Sequence, residues 1–313
     1  MRLARVADPA PGPGEVVVQV AVCGVCGSDV EGYAGSPGMK SRRVPPLLLG
    51  HEFSGVVQDG PPEWAGRPVA VNPLVPCGDC AECRAGRRHL CPERSLIGLN
   101  RPGAFASHVV VPISQLYLLA ADAEVERGAL AEPLAVALHA VETAGPLLGR
   151  AALVLGGGAI GFLTAWAARR TGAHVRVVEP NPLRRALLER LGVDAVPGPP
   201  GEPAHVVFDA VGLEETRRAG LEAVLPGGTV VLLGLHDNRS TVEFYPLILK
   251  ELRVIGSYTY TDLDFRRAVA LVSELPTAFY TVWPLQRGPA AFEQLARGDA
   301  PVLKVLLKPD PCG

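Results

Sequence analysis

The chain has 313 residues, of which 48% are hydrophobic and 20% are charged, and its formal net charge is −2 at pH 7. This length accommodates two domains with cores of their own, so the chain needs no disulfide bonds for stability. Lysine and arginine are scattered and balanced by acidic residues, so we expect a small-molecule partner and neither nucleic acid nor a membrane surface.

The amino terminus, MRLARVADPAPGPGE, favours a cytoplasmic location. Its basic residues are followed by prolines and glycines, where a secretory signal requires an apolar stretch. A later stretch, AALVLGGGAIGFLTAWAA at 151–168, is nearly uncharged and close to the length of a membrane span. Its three consecutive glycines argue against a membrane helix, and a strand, a turn and a helix fit the stretch better.

The elements predicted along the chain divide it into three segments, and the fold class is α/β. Residues 1–136 contain short apolar runs such as VVVQVAV, FSGVV and PVAV, which are typical of a β-rich domain. Residues 137–276 alternate strand-like and helix-like segments, which predicts a doubly wound parallel sheet with helices on both faces. Residues 277–313 return to short β-type runs, VWPL and VLKVLLK, and we expect them to pack on the first domain.

Two motifs in the first segment combine metal ligands of different chemistry. Cys26 lies in VCGVCGSD, and His51 and Glu52 lie in LLLGHEFSG. A thiolate, an imidazole and a carboxylate leave room at zinc for a water or a substrate, which is the arrangement of a catalytic site. Each motif is weak alone, since a cysteine or a histidine is more often structural than ligating.

The cysteine lobe, which we define as the segment from Cys77 to Cys91, contains four cysteines spaced C-x2-C-x2-C-x7-C. In a reducing cytoplasm such a cluster indicates a metal site in preference to disulfide bonds. Cys77, Cys80, Cys83 and Cys91 can close a tetrahedron around zinc, and His89 is an alternative to Cys91 as the fourth ligand. A closed site of this kind stabilises a loop and does not catalyse.

The segment GGGAIG, from Gly156 to Gly161, predicts a dinucleotide site. It matches G-x-G-x-x-G and lies between a predicted strand and a predicted helix, which is the context that gives this motif its meaning. Gly156 allows a tight turn, Gly158 lets the backbone approach a pyrophosphate, and Gly161 lets helix and strand close together. The helix N-terminus adds free N–H groups and a positive dipole end.

Glu179 ends the next predicted strand, HVRVVE, where an acidic side chain accepts hydrogen bonds from ribose hydroxyls and repels a 2′-phosphate. This position favours NAD over NADP. Arg184 and Arg185 follow one helical turn later, and they are either phosphate ligands or solvated helix residues.

The order and spacing of these motifs resemble the zinc-containing medium-chain alcohol dehydrogenases, most closely their sorbitol, threonine and sugar dehydrogenase branch. The matching elements extend over essentially the whole chain: GVCGSD, GHEFSG, the cysteine lobe, ALAEPLAVALHAV, GGGAIG and VVFDAVG. The resemblance implies a GroES-like β-barrel catalytic domain and a Rossmann domain, with the active-site cleft between them.

The resemblance also implies metal ligands. Cys26 and His51 would bind a catalytic zinc, with Glu52 or Glu132 completing the shell, and the lobe would bind a structural zinc. It further implies a cofactor site formed by Gly156, Gly158, Ile160, Gly161, Glu179, Arg184, Gly212 and Gly234.

The resemblance assigns Ser28 to a proton relay from the substrate hydroxyl. Many relatives carry a relay histidine five residues after the first zinc cysteine, whereas this chain has Glu31 there. This departure leaves the proton path and the substrate open.

The leading hypothesis is an NAD- and zinc-dependent enzyme that oxidises a secondary alcohol in a polyol, a sugar or a hydroxy-amino acid. Zinc would acidify the hydroxyl, and hydride would pass from the same carbon to the nicotinamide ring. An NAD(P)-dependent glucose or aldose dehydrogenase is the alternative within this class. In a different class, a non-catalytic protein would use zinc in the lobe and sense the cofactor, although its neutral charge counts against nucleic-acid binding. The resemblance implies a homodimer or a homotetramer.

Overall fold

The computed structural model describes residues 2–35, 45–298 and 302–310. The chain forms two compact units: unit 1 comprises Met1–Glu132 with Thr261–Gly313, and unit 2 comprises Pro133–Tyr260. Within the described ranges, none of the helices has both the length and the apolarity needed to cross a membrane.

Unit 1 is built on a mixed sheet. Its strands are β1 (Glu15–Gly24), β2 (Glu52–Asp59), β3 (Pro68–Val71), β4 (Leu74–Val75), β5 (Ser95–Leu96), β6 (His108–Pro112), β7 (Leu116–Leu118), β14 (Tyr280–Pro284) and β15 (Lys304–Lys308). The order in the main sheet is β14-β15-β1-β2-β3-β7, with β6 also paired to β1, while β4 and β5 form a separate ribbon. Strand β1 therefore joins three neighbours, β2, β6 and β15, and holds the sheet together.

The helices of unit 1 are short. They are α1 (Gly27–Ala34), α2 (Ala81–Arg84), α8 (Asp262–Leu271) and α9 (Gly288–Arg297), and helix α3 (Ala131–Ala144) starts at its border. Helix α1 ends at Gly35, whose φ of 83° is the left-handed conformation that glycine adopts at little cost.

The core of unit 1 follows the alternation of strand β1. Side chains of a strand point alternately to its two faces. Val16, Val18 and Val20 therefore share one face, where they pack with Phe53 of β2 and Val109 of β6, and all five are buried. Val17 and Val22 are buried too, so most of β1 lies inside the unit.

Unit 2 is a parallel sheet of the order β10-β9-β8-β11-β12-β13. Its strands are β8 (Ala151–Leu155), β9 (His174–Val178), β10 (Asp194–Val196), β11 (Ala204–Asp209), β12 (Val224–Leu232) and β13 (Arg253–Gly256). Its helices are α4 (Ala159–Arg170), α5 (Pro182–Arg190), α6 (Glu214–Ala223) and α7 (Phe244–Leu249). The strand order reverses between β8 and β11, and doubly wound sheets bind ligands beyond the carboxyl ends of their strands at this point.

Strand β12 begins earlier than the sequence predicts. The segment LEETRRAGLEAVL favours a helix followed by a turn at PGG, whereas helix α6 ends at Ala223 and β12 starts at Val224. Val224 pairs with Ala204 of β11, and the next pairing joins Thr229 to Val206, so the proline and the two glycines form an irregularity within the strand. Pairing with β11 thus overrides the local preference for a turn.

The carboxyl-terminal segment belongs to unit 1, because β14 and β15 extend the sheet beside β1. The second border between the units lies at Thr261, whereas the predicted border lies at residue 277. Buried Arg127 explains the difference. Its guanidinium donates hydrogen bonds to the carbonyl oxygens of Val272, Ser273 and Leu275, which attach this segment to unit 1.

Candidate active site

The four cysteines of the lobe converge in unit 1. Cys80 precedes helix α2, Cys83 lies within it, and Cys91 follows a 3-10 turn. The four sulfur atoms lie within 4.8 Å of one another. Cys77 Sγ is 3.5 Å from Cys91 Sγ and 3.9 Å from Cys83 Sγ. Four thiols in this arrangement match the closed ligand set of a structural zinc site.

Burial raises the pKa of Cys83 to about 12, and hydrogen bonds with the other lobe thiols contribute to this rise. Zinc binds the thiolate and not the thiol, so its binding to the lobe would release protons and become tighter as the pH rises. The four sulfurs already supply four ligands, so the set needs none from His89.

The second ligand set, here called the Cys26 set, consists of Cys26, His51 and Glu52, whose ligand atoms also lie within 4.8 Å of one another. Cys26 follows β1 and caps helix α1, while His51 and Glu52 lie at the start of β2. Antiparallel pairing of Gly24 with Glu52 brings these two chain segments together. Ser28 is part of the same arrangement, because its Oγ donates a hydrogen bond of 3.3 Å to Cys26 Sγ.

Asp29 lies beside the Cys26 set, although the predicted site residues do not include it. Its carboxylate is fully buried, accepts a 3.3 Å hydrogen bond from the backbone N–H of Cys26, and lies 3.7 Å from His51 Nδ1. The signal for Asp29 was its place in the GVCGSD motif. A carboxylate behind a ligating histidine fixes the orientation of the ring in many metal sites.

The surroundings of His51 favour a cation. Burial alone lowers its pKa, but the negative charges of Asp29, Cys26 and Glu132 raise the pKa to about 10. Nδ1 of His51 is buried and has no hydrogen bond to any of the residues that the structure describes. Negative charge concentrated around a buried imidazole and a thiol fits a divalent metal ion.

Lys304 is a second residue that the sequence reasoning missed. It lies on β15, is 2% exposed, and forms an ion pair with Glu52. Burial lowers the pKa of Lys304, but the charges of Glu52 and Cys26 raise it above its usual range. The available signal was a lysine inside the apolar run VLKVLLK, where a buried ammonium needs a partner.

Glu132 lies in the first turn of helix α3 and is 8% exposed. The 3-10 turn before it is fixed to β2, because Ser54 Oγ donates a 2.6 Å hydrogen bond to the carbonyl oxygen of Val125. Gly128 allows this contact, since a Cβ there would lie 2.8 Å from Ser54 Cβ. The charge of Glu132 contributes to the raised pKa of His51. The carboxylate therefore acts electrostatically on the Cys26 set.

The glycine loop of unit 2 has the geometry that the motif predicts. Gly156 has a φ of 96°, a conformation that disfavours any other residue. A Cβ at Gly161 would overlap the carbonyl oxygen of Gly156, so helix α4 can approach the loop only with glycine there. Gly158 caps α4, and nothing lies within 4 Å of the position of a Cβ, which leaves room for a phosphate.

Glu179 follows strand β9 and is 4% exposed. Its Oε2 accepts a 2.9 Å hydrogen bond from the N–H of Gly157, and its Oε1 accepts one of 2.9 Å from the N–H of Asn181. The carboxylate is thus fixed against the glycine loop, and each oxygen keeps a lone pair for another donor.

The two arginines after Glu179 differ in their contacts. Arg185 donates to the carbonyl oxygens of Glu179 and Pro180, at 2.8 and 2.6 Å. Arg184 Nη1 lies 4.0 Å from Glu179 Oε2. Arg184 is therefore the arginine that lies beside the Glu179 carboxylate itself.

The remaining predicted cofactor residues also lie in unit 2. Ile160 is half-buried in the first turn of α4. Gly212 has a φ of 83°, and a Cβ on it would overlap the backbone of Gly234. The loops after β11 and β12 thus touch through their glycines, near the carboxyl ends of both strands.

The sequence matches two family descriptions, "Alcohol dehydrogenase GroES-like domain" over residues 12–121 and "Zinc-binding dehydrogenase" over residues 159–274. It is 35% identical to a 2-dehydro-3-deoxy-L-galactonate 5-dehydrogenase of Pseudoalteromonas atlantica over 84% of this chain and 82% of that protein. It is 36% identical to an L-threonine 3-dehydrogenase of Thermococcus kodakarensis over 81% of this chain and 78% of that protein.

Solved structures are similar over nearly the whole chain. Galactitol-1-phosphate dehydrogenase from Escherichia coli superposes with a TM-score of 0.86 at 27% identity, covering 98% of this chain and 96% of that one. A Sinorhizobium meliloti structure described as a zinc-binding dehydrogenase bound to NADP gives 0.86 at 31% identity, covering 97% and 94%.

The GroES-like and Rossmann-type folds, together with the two ligand sets, define an oxidoreductase of the medium-chain type. The chain belongs to the zinc-binding alcohol dehydrogenase family. It is a dehydrogenase that transfers hydride between an alcohol and a nicotinamide dinucleotide, with zinc as its metal. The predicted family, fold class and cofactor classes are thereby confirmed.

The two ligand sets predict two zinc ions per chain with different functions. We expect Cys83→Ser to lose the lobe zinc and to lower the thermal midpoint, because the lobe has little core of its own. Cys26→Ser should abolish turnover and keep the fold and dinucleotide binding. Cys23→Ser is the control, since Cys23 is a buried free thiol outside both sets. Metal analysis that finds fewer than two zinc ions in the unmodified protein would contradict this assignment.

Proposed function

We propose that this enzyme oxidises a secondary alcohol of a polyol, a sugar or a hydroxy-amino acid, with NAD as acceptor and zinc at the Cys26 set. The observation that supports this most strongly is the convergence of a half-buried thiol with a buried imidazole and a buried carboxylate, whose ligand atoms lie within 4.8 Å of one another. The named relatives act on a sugar acid and on L-threonine, and both substrates carry the hydroxyl on a chain with further polar groups. Because the substrates of these two relatives differ in chemistry, the substrate class that we propose is broad.

In this proposal each residue of the site has a separate task. Cys26, His51, and Glu52 or Glu132 hold the zinc, which acts as a Lewis acid on the substrate hydroxyl. Asp29 keeps the His51 ring in place through its buried carboxylate. Ser28 Oγ lies 3.3 Å from Cys26 Sγ, and its hydroxyl would take up the substrate proton and pass it on. The four cysteines of the lobe hold a second, structural zinc.

The dinucleotide binds to the loop of unit 2 in this proposal. Gly156, Gly158 and Gly161 let the pyrophosphate reach the N-terminus of α4, with Ile160, Gly212 and Gly234 beside it. Glu179 accepts the ribose hydroxyls, and its fixed negative charge disfavours a 2′-phosphate. Arg184 is the residue that would attract such a phosphate.

Cofactor and substrate class can be tested together. We expect the purified enzyme to reduce NAD in the presence of at least one member of a panel of polyols, sugars and hydroxy-amino acids. The absorbance of the reduced nicotinamide measures the reaction. NAD should give a higher kcat/KM than NADP, because a carboxylate repels the phosphate, and Glu179→Ala should narrow that difference. Arg185→Ala is the control, since Arg185 binds backbone carbonyl groups. A kcat/KM with NADP that equals or exceeds the value with NAD would show that Arg184, and not Glu179, decides the cofactor preference.

Glu132 provides a test of the metal shell. Replacing it by Ala should lower kcat/KM at least about tenfold and weaken zinc retention, which is the range observed when groups around a metal are lost. Glu132→Cys should retain zinc and change the pH profile of oxidation. Glu142→Ala is the control, because Glu142 is an exposed residue of the same helix. If Glu132→Ala keeps full activity and full zinc content, Glu132 is only a helix-capping residue and not a metal ligand.

We also propose a homodimer formed through unit 2. Strand β13 is the last strand of its sheet in the described part of the chain, and Val254 on it is 45% exposed. Helix α7, close to it in sequence, exposes Phe244, Tyr245, Ile248 and Leu249. An edge strand with apolar neighbours is a template for pairing, and two copies can pair symmetrically.

We expect sedimentation at micromolar protein concentration to show a dimer that pairs through unit 2, or a tetramer that contains this pairing. Val254→Lys should shift it towards monomer, because a charge on each edge strand repels its counterpart. Leu183→Lys should not, since exposed Leu183 lies on helix α5, which connects β9 and β10 at the opposite edge of the sheet from β13. A monomer in the unmodified protein would rule out this assembly.

We also propose that the protein is located in the cytoplasm. The six cysteines of the described residues are free thiols, and a reducing compartment keeps thiols available as metal ligands.

A further inference from the structure

Lys304 is buried in unit 1 next to a predicted zinc ligand. It is 2% exposed, and its Nζ forms an ion pair with Oε2 of Glu52, which is 1% exposed. The same Nζ donates a 3.0 Å hydrogen bond to the carbonyl oxygen of Val25. Val25 directly precedes Cys26, so the ammonium touches both chain segments that supply the Cys26 set.

An ammonium group in such a place requires partners. Burial of an unpaired charge is costly, and a buried ion pair persists only where the geometry is good and the remaining donors are satisfied. Here Nζ donates a hydrogen bond to a carbonyl oxygen and forms an ion pair with a carboxylate. The backbone supports this arrangement, because the N–H of Val25 donates a 2.9 Å hydrogen bond to the carbonyl oxygen of Val305, the neighbour of Lys304.

The backbone also provides the space for this pair. Gly24 of β1 lies opposite Glu52 in the register of the sheet. A Cβ on Gly24 would overlap Oε2 of Glu52 and would lie 3.0 Å from Cε of Lys304. Glycine at this position therefore lets the carboxylate and the ammonium meet.

We propose that Lys304 is a positioning residue that fixes the orientation of the Glu52 carboxylate within the Cys26 set, and that zinc retention at this set depends on this orientation. The inference rests on the function proposed above. Lys304 holds one oxygen of Glu52 and leaves the other available. Without Lys304 the carboxylate would lose its fixed orientation beside Cys26 and His51, and a carboxylate without a fixed orientation is a poorer metal ligand.

Lys308 provides a matched control on the same strand. Its Nζ pairs with Glu126 at 2.8 Å, but both side chains are largely open to solvent, with 54% and 35% of their surface exposed. An ion pair of this kind contributes little to stability or to geometry. Lys308→Met therefore removes a lysine and an ion pair from β15 without touching the Cys26 set.

The experiment is a double-mutant cycle on zinc affinity. Zinc is titrated away from the purified enzyme with a chelating indicator, for the unmodified protein, Lys304→Met, Glu52→Gln, the double variant and Lys308→Met. We expect Lys304→Met to bind zinc at the Cys26 set about 10- to 100-fold less tightly, the range for lost partners of metal ligands. Cys83→Ser, which loses the lobe zinc, shows which of the two titration steps belongs to the Cys26 set. The Lys304 substitution should have less than about twofold effect in the Glu52→Gln background, since Lys304 acts through Glu52.

The outcomes separate this inference from the function on which it rests. If the unmodified protein binds no zinc at the Cys26 set, the proposed function fails. If it binds zinc and Lys304→Met binds it equally well, the inference is overturned. An effect of Lys304→Met that persists in the Glu52→Gln background would overturn it too, because a purely structural role does not depend on Glu52. If Lys304→Met does not fold, Gly24→Ala, which displaces the same carboxylate and removes no charge, takes its place in the cycle.

Discussion

Repulsion among buried negative groups is the constraint on which unit 1 depends. Asp29, Glu52 and Glu132 are buried near the thiol of Cys26, and water solvates none of these carboxylates well. Buried charges are tolerated when they are paired or bound to a metal. Lys304 pairs with one carboxylate, and a zinc ion, bound by neutral His51 in place of a proton, would balance the remaining negative charge.

Strand β1 connects this charge cluster to the rest of the unit. Its valines form the core face, its pairing with β2 places Glu52 opposite Gly24, and its last residues lead into Cys26. Its pairing with β15 brings the carboxyl-terminal segment, and with it Lys304, to the same place. The return of the chain to the first domain therefore completes the surroundings of the metal site. This is a chemical reason for a domain made from two distant segments.

The sequence predicted those features that depend on local motifs. Spacing alone identified the cysteine lobe, the glycine loop and Glu179, because each is defined by residues close together in the chain.

Asp29 and Lys304 were missed for different reasons. Asp29 lies within a recognised motif but its contact with His51 exists only after β1 and β2 pair. Lys304 is 252 residues from Glu52 by the numbering, and no local rule predicts an ion pair over that separation. The early start of β12 was missed because sheet pairing overrode the turn signal of PGG.

Anomalous X-ray scattering at the zinc edge, from a crystal of the enzyme purified without chelator, tests the central claim most directly. We expect two peaks per chain, one among the four sulfurs of the lobe and one beside Cys26, His51 and Glu52. The second peak identifies the cation that balances the buried carboxylates. A crystal with a lobe peak and no density for metal at the Cys26 set, in active enzyme, would contradict the account.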